Sequence, residues 1–199
     1  MDESQHNCKD AKLDIKTLVS DTLYRLDNIF SDKQPKRTVQ GSFGFSEEAY
    51  RSKIDLEKSI MIICLIWAQM RSKDPNTKVG AAVYDTSTGS IHLGYNGFNP
   101  GVPDFVSVWD NRDLTKHPNK YDRVVHAESN SLEKALKSLF NPSKSILFVT
   151  NWPCRVCTKT HIVPSGIKMM YYLDEYPPDE ESNEQLRMAR VKYEKLVLS

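Results

Sequence analysis

Long apolar runs are missing from this sequence. Its most hydrophobic stretch, IMIICLIWA at 60–68, has nine residues, far short of the roughly 18–20 that cross a bilayer as a helix. A charge excess is missing too: 27 basic residues face 26 acidic ones. Dedicated nucleic-acid binders carry a basic surplus, so no stable nucleic-acid partner is expected. Residues 54–173 alone hold 14 bases against ten acids, a mild excess that suits a small anionic ligand. Cysteine is sparse, with four in 199 residues, which excludes a disulfide scaffold. The opening MDESQHNCKD is polar and acidic and does not read as a signal peptide. A reducing, cytoplasmic location is the expectation. Internal repeats and low-complexity tracts are absent as well.

Hydrophobic periodicity then orders the chain. Residues 13–30 carry an apolar stripe at helical spacing and predict an amphipathic helix for packing or subunit contact. With the Pro- and Gly-bearing stretch 31–46 it forms an N-terminal extension, residues 1–53, ahead of a main domain at 54–199. A second helix, about 54–72, is apolar through its middle and should be buried against a sheet; Cys64 there reads as an inert core thiol. VGAAVYD (79–85) and SIHLGYNGF (90–98) predict a hairpin around TSTG. Residues 99–122 read as one long polar loop. A helix over 126–139, a strand over 145–150, a helix from Cys154 to about 164 and a strand over 167–173 follow. The tail reads as a short helix and then a strand from about Val191. Strands alternating with helices after a hairpin predict an α/β fold, a three-layer α/β/α sandwich with a mixed five-stranded sheet.

Chemistry enters at VVHAESNSL (124–132) and PCRVC (153–157). A catalytic zinc takes three protein ligands of Cys or His type and keeps a fourth position for water. His126, Cys154 and Cys157 supply such a set. Cys154 and Cys157, three apart, share one face of a first helical turn. Pro153 suits the start of a helix, and a helix N-terminus favours thiolates. Glu128 lies two residues from the His and can move a proton from a water to a leaving group without ligating. Taken alone, H-x-E is a weak signal, and C-x-x-C is equally half of a structural zinc site or a redox pair. The joint pattern is far more restrictive.

H-A-E followed by P-C-x-x-C resembles the zinc nucleobase deaminases. Within them the stretches AQMRSKDPNTKVGAAVYD (68–85), GYNGFNPGVPD (94–104), KYDRVVHAESNSL (120–132) and PCRVCTKTHIVPSGIKMMYYLDEY (153–176) are most similar to the deoxycytidylate (dCMP) deaminases. The resemblance covers most of 60–176 and leaves residues 1–53 outside. It implies a cytidine deaminase-like fold and hydrolysis of dCMP to dUMP and ammonia, with one Zn2+ on His126, Cys154 and Cys157 and Glu128 as proton shuttle. It further implies that the Ala127 N–H meets the pyrimidine carbonyl and that Asn96 meets the sugar hydroxyl. Arg71 and Lys73 would read the 5′-phosphate, with Asn76 and Tyr121 as lesser contacts, and Trp152 would wall the base or fill the core. A homo-oligomer, hexameric in many relatives, and regulation by dCTP and dTTP with Mg2+ are family expectations. Val102 stands where such enzymes often carry cysteine, which leaves that regulation in question. Two alternatives stay open here: a deaminase of dCTP, of a modified cytosine nucleotide or of a polynucleotide, and a non-catalytic nucleotide-sensing relative.

Overall fold

A computed structural model describes residues 55–175 and 179–198 of the chain. The N-terminal extension and its expected helix lie outside the described residues.

The apolar stretch noted above forms the centre of helix α1 (Leu56–Arg71), which buries Ile60, Met61, Cys64 and Ala68. Strand β1 (Gly80–Asp85) turns into β2 (Ser90–Tyr95) with antiparallel pairing from Gly80↔Tyr95 to Asp85↔Ser90. β1 also pairs antiparallel with β5 (Ser145–Asn151). β5 pairs parallel with β6 (Met169–Asp174), and β6 pairs parallel with β7 (Lys192–Lys195). The sheet is therefore mixed and five-stranded, in the order β2-β1-β5-β6-β7.

Side-chain alternation, with its period of two, builds a core on each face. Ala82 and Phe148 point toward α1 with Ile60, Met61 and Cys64. Ala81, Val83, Leu147, Val149 and Met170 point the other way, toward Leu132, Ala135, Ile162 and Leu186. Those last residues belong to α4 (Ala127–Lys137), to the helical segment after Cys154, and to α7 (Glu180–Met188). Helices on both faces make the three layers expected. Burial lifts the Cys64 thiol pKa to about 12, as suits a core residue.

Three expectations are corrected. The strand read over 90–98 is two: at Asn96 the backbone leaves the sheet, its N–H donating to the Val79 carbonyl at 3.1 Å. Beyond it β3 (Gly97–Phe98) pairs with β4 (Val124–Val125) in a separate ribbon. The loop read over 99–122 holds two short helices, α2 (Val106–Asp110) and α3 (Lys120–Arg123). Trp109 of α2 stacks on Phe98 with ring centroids 4.2 Å apart, so apolar packing orders a stretch whose composition is polar. The helix after Cys154 is interrupted: α5 (Arg155–Cys157) passes through a π turn (Thr158–Ile162) into α6 (Val163–Ser165). Pro164 explains the widening. Its ring would press on the carbonyl four residues back, and the Val163 N–H instead reaches the Thr158 carbonyl five back.

α4 crosses β2 at very short range, and Gly94 permits it. A Cβ at position 94 would lie 2.3 Å from the Ala127 carbonyl oxygen and 2.6 Å from the Ser131 nitrogen. Both are backbone atoms of the first turns of α4 and cannot swing aside. Gly94→Ala is therefore expected to lower stability by about 1–3 kcal/mol through overpacking, read by urea or thermal unfolding. An unchanged midpoint would show that α4 is not seated on this glycine.

Candidate metal centre

Three side chains converge where β4 and β5 hand over to helices. His126 follows β4 and is the N-cap residue of α4. Cys154 is the N-cap residue of α5, and its sulfur accepts the Cys157 N–H at 3.5 Å. His126 Nδ1 lies 3.5 Å from Cys154 Sγ and 3.3 Å from Cys157 Sγ. One ligand atom from each residue falls within 4.8 Å of the others. Around a tetrahedral zinc, bond lengths of about 2.3 Å to sulfur and 2.0–2.1 Å to nitrogen put S and N about 3.6 Å apart. The cluster thus has nearly the spacing a zinc needs, with the donor types zinc prefers, and among the described residues it provides three ligands rather than the four of a structural site.

The electrostatics fit the same ion. The Cys157 thiol donates to Cys154, and with help from His126 this outweighs burial and lowers the Cys154 pKa to about 4. Cys157 is correspondingly raised by that shared proton and by burial. His126 is raised chiefly by its hydrogen bond to Cys154, against the opposing effect of burial. One thiolate and a proton-rich pair of neighbours describe a site from which a divalent cation displaces protons on binding.

Glu128 is the second residue of α4 and is 4 % exposed. Burial pushes its carboxyl above the usual range, partly offset by the charge of His126, and it is hydrogen-bonded with Cys157. The carboxylate stands beside the ligand cluster without being one of its three members. Ala127, between the two, is fully buried. Its N–H is among the four that a helix start leaves without intrahelical partners.

The supports are specific. The Asn130 carboxamide donates to the Tyr95 carbonyl at 2.7 Å, and Lys134 Nζ donates to the Leu93 carbonyl at 2.6 Å. Both tie α4 to β2. The Trp152 backbone N–H donates to the Asp174 carbonyl at 2.8 Å, holding the turn before Pro153 against the end of β6.

The other sequence candidates lie in different surroundings. Asn96 is buried with all its amide positions filled. It donates to Asp74 at 3.2 Å and to the Thr77 carbonyl at 2.8 Å, and it accepts from Ser72 at 2.8 Å and from the Val79 N–H at 2.9 Å. Lys73 is exposed and pairs with Asp104 at 2.9 Å. Asn76 faces the Arg112 guanidinium. Arg71 lies over the rings of Trp67 and Tyr95, each 5.8 Å from the ring centroid; burial lowers the Lys134 amine, and the Arg71 charge adds to it. Arg71 and Lys73, grouped on one phosphate by the sequence, thus have separate partners. Tyr121 is half exposed at the start of α3. Trp152 is in the core, edge-on to Tyr172 and Tyr193.

Sequence reasoning missed a buried carboxylate. Asp74 is fully buried and takes an ion pair from Lys120, another from Arg112 at 3.3 Å, the Asn96 amide, and the N–H groups of Asn76 and Thr77. Burial alone would raise its pKa, but the hydrogen bonds from Lys120, Asn76 and Thr77 hold it below the usual value. In sequence, Asp before Pro reads only as a turn, and nothing local announces that Lys120, 46 positions on, will meet it.

Comparison with known proteins agrees with this geometry. The family model described as the cytidine and deoxycytidylate deaminase zinc-binding region matches residues 55–174. A probable deoxycytidylate deaminase of Caenorhabditis elegans is 37 % identical over 134 residues, spanning 65 % of this chain and 64 % of that protein. The deoxycytidylate deaminase of Homo sapiens is 32 % identical over 141 residues, spanning 69 % of this chain and 77 % of its own. The crystal structure of the dCMP deaminase of cyanophage S-TIM5, in complex with dCMP and dUMP, superposes with a TM-score of 0.57 at 30 % identity. That match covers 77 % of this chain and all of the phage chain.

The cluster yields a direct expectation. Purified chain should carry one zinc, and Cys157→Ala should lose it, because two ligands do not replace three. Metal analysis checks this; full occupancy in the variant would mean that the ion is held elsewhere.

Proposed function

The chain belongs to the cytidine and deoxycytidylate deaminase family, and on that premise we propose that it hydrolyses dCMP to dUMP and ammonia. The observation that carries the reading is a three-member His/Cys/Cys cluster with a buried, uncoordinated carboxylate beside it. A zinc ion held by His126, Cys154 and Cys157 would supply a water made acidic and nucleophilic near neutral pH. Glu128 would take a proton from the attacking water and deliver a proton to the 4-amino nitrogen, which would leave C4 of the pyrimidine as ammonia. Burial raises this carboxyl above the usual range, which favours its protonated form and suits a group that both takes and returns a proton. The unpaired Ala127 N–H at the start of α4 orients the pyrimidine carbonyl.

Substrate choice lies outside the metal cluster. Lys73 exchanges its half-exposed Asp104 partner for the 5′-phosphate, assisted by Arg71, Asn76 and Tyr121. Asn96 shapes the sugar side through the loop it anchors, and Trp152 supports the cysteine turn from below. The assembly is a homo-oligomer, on family likeness, and the sparse cysteines support a reducing, cytoplasmic location; dCTP and dTTP with Mg2+ are the effectors that the same likeness suggests, with Val102 the departure that bears on them.

Two measurements test the reading. Glu128→Gln should keep zinc and fold but lose at least about 10²-fold in turnover, since the amide cannot carry the proton. A variant within a few-fold of wild type would move the proton shuttle to another group. Lys73→Ala should cut kcat/KM for dCMP by about tenfold or more, the worth of one charge-assisted contact, and change deoxycytidine little. Equal kcat/KM for dCMP and deoxycytidine in the unaltered enzyme would remove the phosphate from recognition.

A further inference from the structure

The three parallel strands of the sheet begin at its opposite end. Each is entered through a basic residue: Lys144 precedes β5, Lys168 precedes β6, and Arg190 and Lys192 bring in β7. Their register sets Ile146 against Met169 and Met169 against Lys192. Neighbouring strands lie about 4.8 Å apart, so these entrances span about 10 Å. They line a cleft of about 370 Å³ with a floor that includes Ile146 and Met169. That volume falls within the range of small-molecule sites.

All the charged side chains lining the cleft are cationic. Among the described residues none of the four cations forms an ion pair. Lys168 is aimed by a hydrogen bond from its ammonium to the Ala189 carbonyl at 2.9 Å, which uses one of its three donors. The Lys192 N–H donates to the Lys168 carbonyl at 2.9 Å, fixing the two entrances side by side. Four like charges within one Debye length repel one another, and an anion spanning them removes that cost.

We propose that this cleft binds a chain of two or three linked phosphates, free or carried on a nucleoside. The cations are spread over a length that a single phosphate does not fill, and the apolar floor gives a nucleoside a surface to lie on. The site is distinct from the metal centre. β5, seven residues long, runs from the cleft to the turn before Cys154, about 23 Å away at strand rise. It does not depend on the proposed deamination.

The test is calorimetric titration of the zinc-loaded full chain in magnesium buffer with inorganic tripolyphosphate and, separately, with adenosine triphosphate, whose base is not a cytosine. Binding that weakens as salt rises is expected for both. Arg190→Gly removes one cation where φ is already 56°, a value glycine adopts without strain. The double substitution Lys144→Gln with Lys192→Gln removes two more from exposed positions. Each should weaken binding at least about tenfold, with deamination and thermal midpoint unchanged. Equal affinity for the two probes identifies the phosphate chain as the whole ligand. A clear preference for the nucleotide places the nucleoside on the apolar floor; either result upholds the site if the substitutions weaken it. Absence of binding to both probes up to about millimolar concentration, or binding that the substitutions leave intact, overturns the proposal.

Discussion

The Asp74 carboxylate ties together the segments that surround the metal centre. Its partners come from three parts of the chain: its own loop after α1, Asn96 where β2 ends, and Arg112 and Lys120 from the segment between the two ribbon strands. A fully buried carboxylate without partners would be costly. With two cations and an amide it instead specifies where those segments meet, because each partner must arrive to satisfy it. The Asn119 side chain accepts the N–H groups of Tyr121 and Asp122 and so begins α3 beside it. Through α3 and β4, the position of His126 is referred to the loop after α1.

The metal centre itself rests on two helix starts. His126 and Cys154 are both N-cap residues with extended backbones, so each side chain is presented at the mouth of its helix rather than on a flank. Oriented N–H groups at such mouths favour negative charge, which the Cys154 thiolate provides. Close packing makes the convergence possible. The same approach that Gly94 allows between β2 and α4 brings the first turn of α4 to the depth of the cysteine turn, and the Trp152 N–H holds that turn to β6.

What was readable in the sequence follows range. His126, Glu128, Cys154 and Cys157 are recognisable because their spacing repeats a local demand: one ligand at a helix start, or two on one helical turn. The order of strands and helices was readable because alternation of Ala81, Ala82 and Val83, or of Leu147, Phe148 and Val149, reports two buried faces. The break at Asn96 was not readable, since a strand-forming run continues through GYNGF and only a tertiary network pulls it apart. The helices within 99–122 were hidden by polar composition: α2 is held by the Phe98–Trp109 stack and α3 by the Asn119 cap. The distinct surroundings of Arg71 and Lys73 were hidden for a related reason. Residues two apart share a neighbourhood in sequence, but here the helix ends between them, at Ser72.

β5 serves both cores at once. Leu147 and Val149 feed one layer, Phe148 feeds the other, and six residues after Phe148 the chain delivers Cys154. This coupling sets where the chain can change length. The turn at 86–89 and the segment 99–118 lie outside the sheet ladder, and extra residues there leave both faces in place. One residue inserted within β5 reverses the facing of everything beyond it. Phe148 would exchange places with Leu147 or Val149, and the cysteine pair would rotate away from His126. Divergence of this architecture by insertion is therefore channelled into the loops, where it alters what surrounds the metal while the strand that carries the ligands keeps a fixed count.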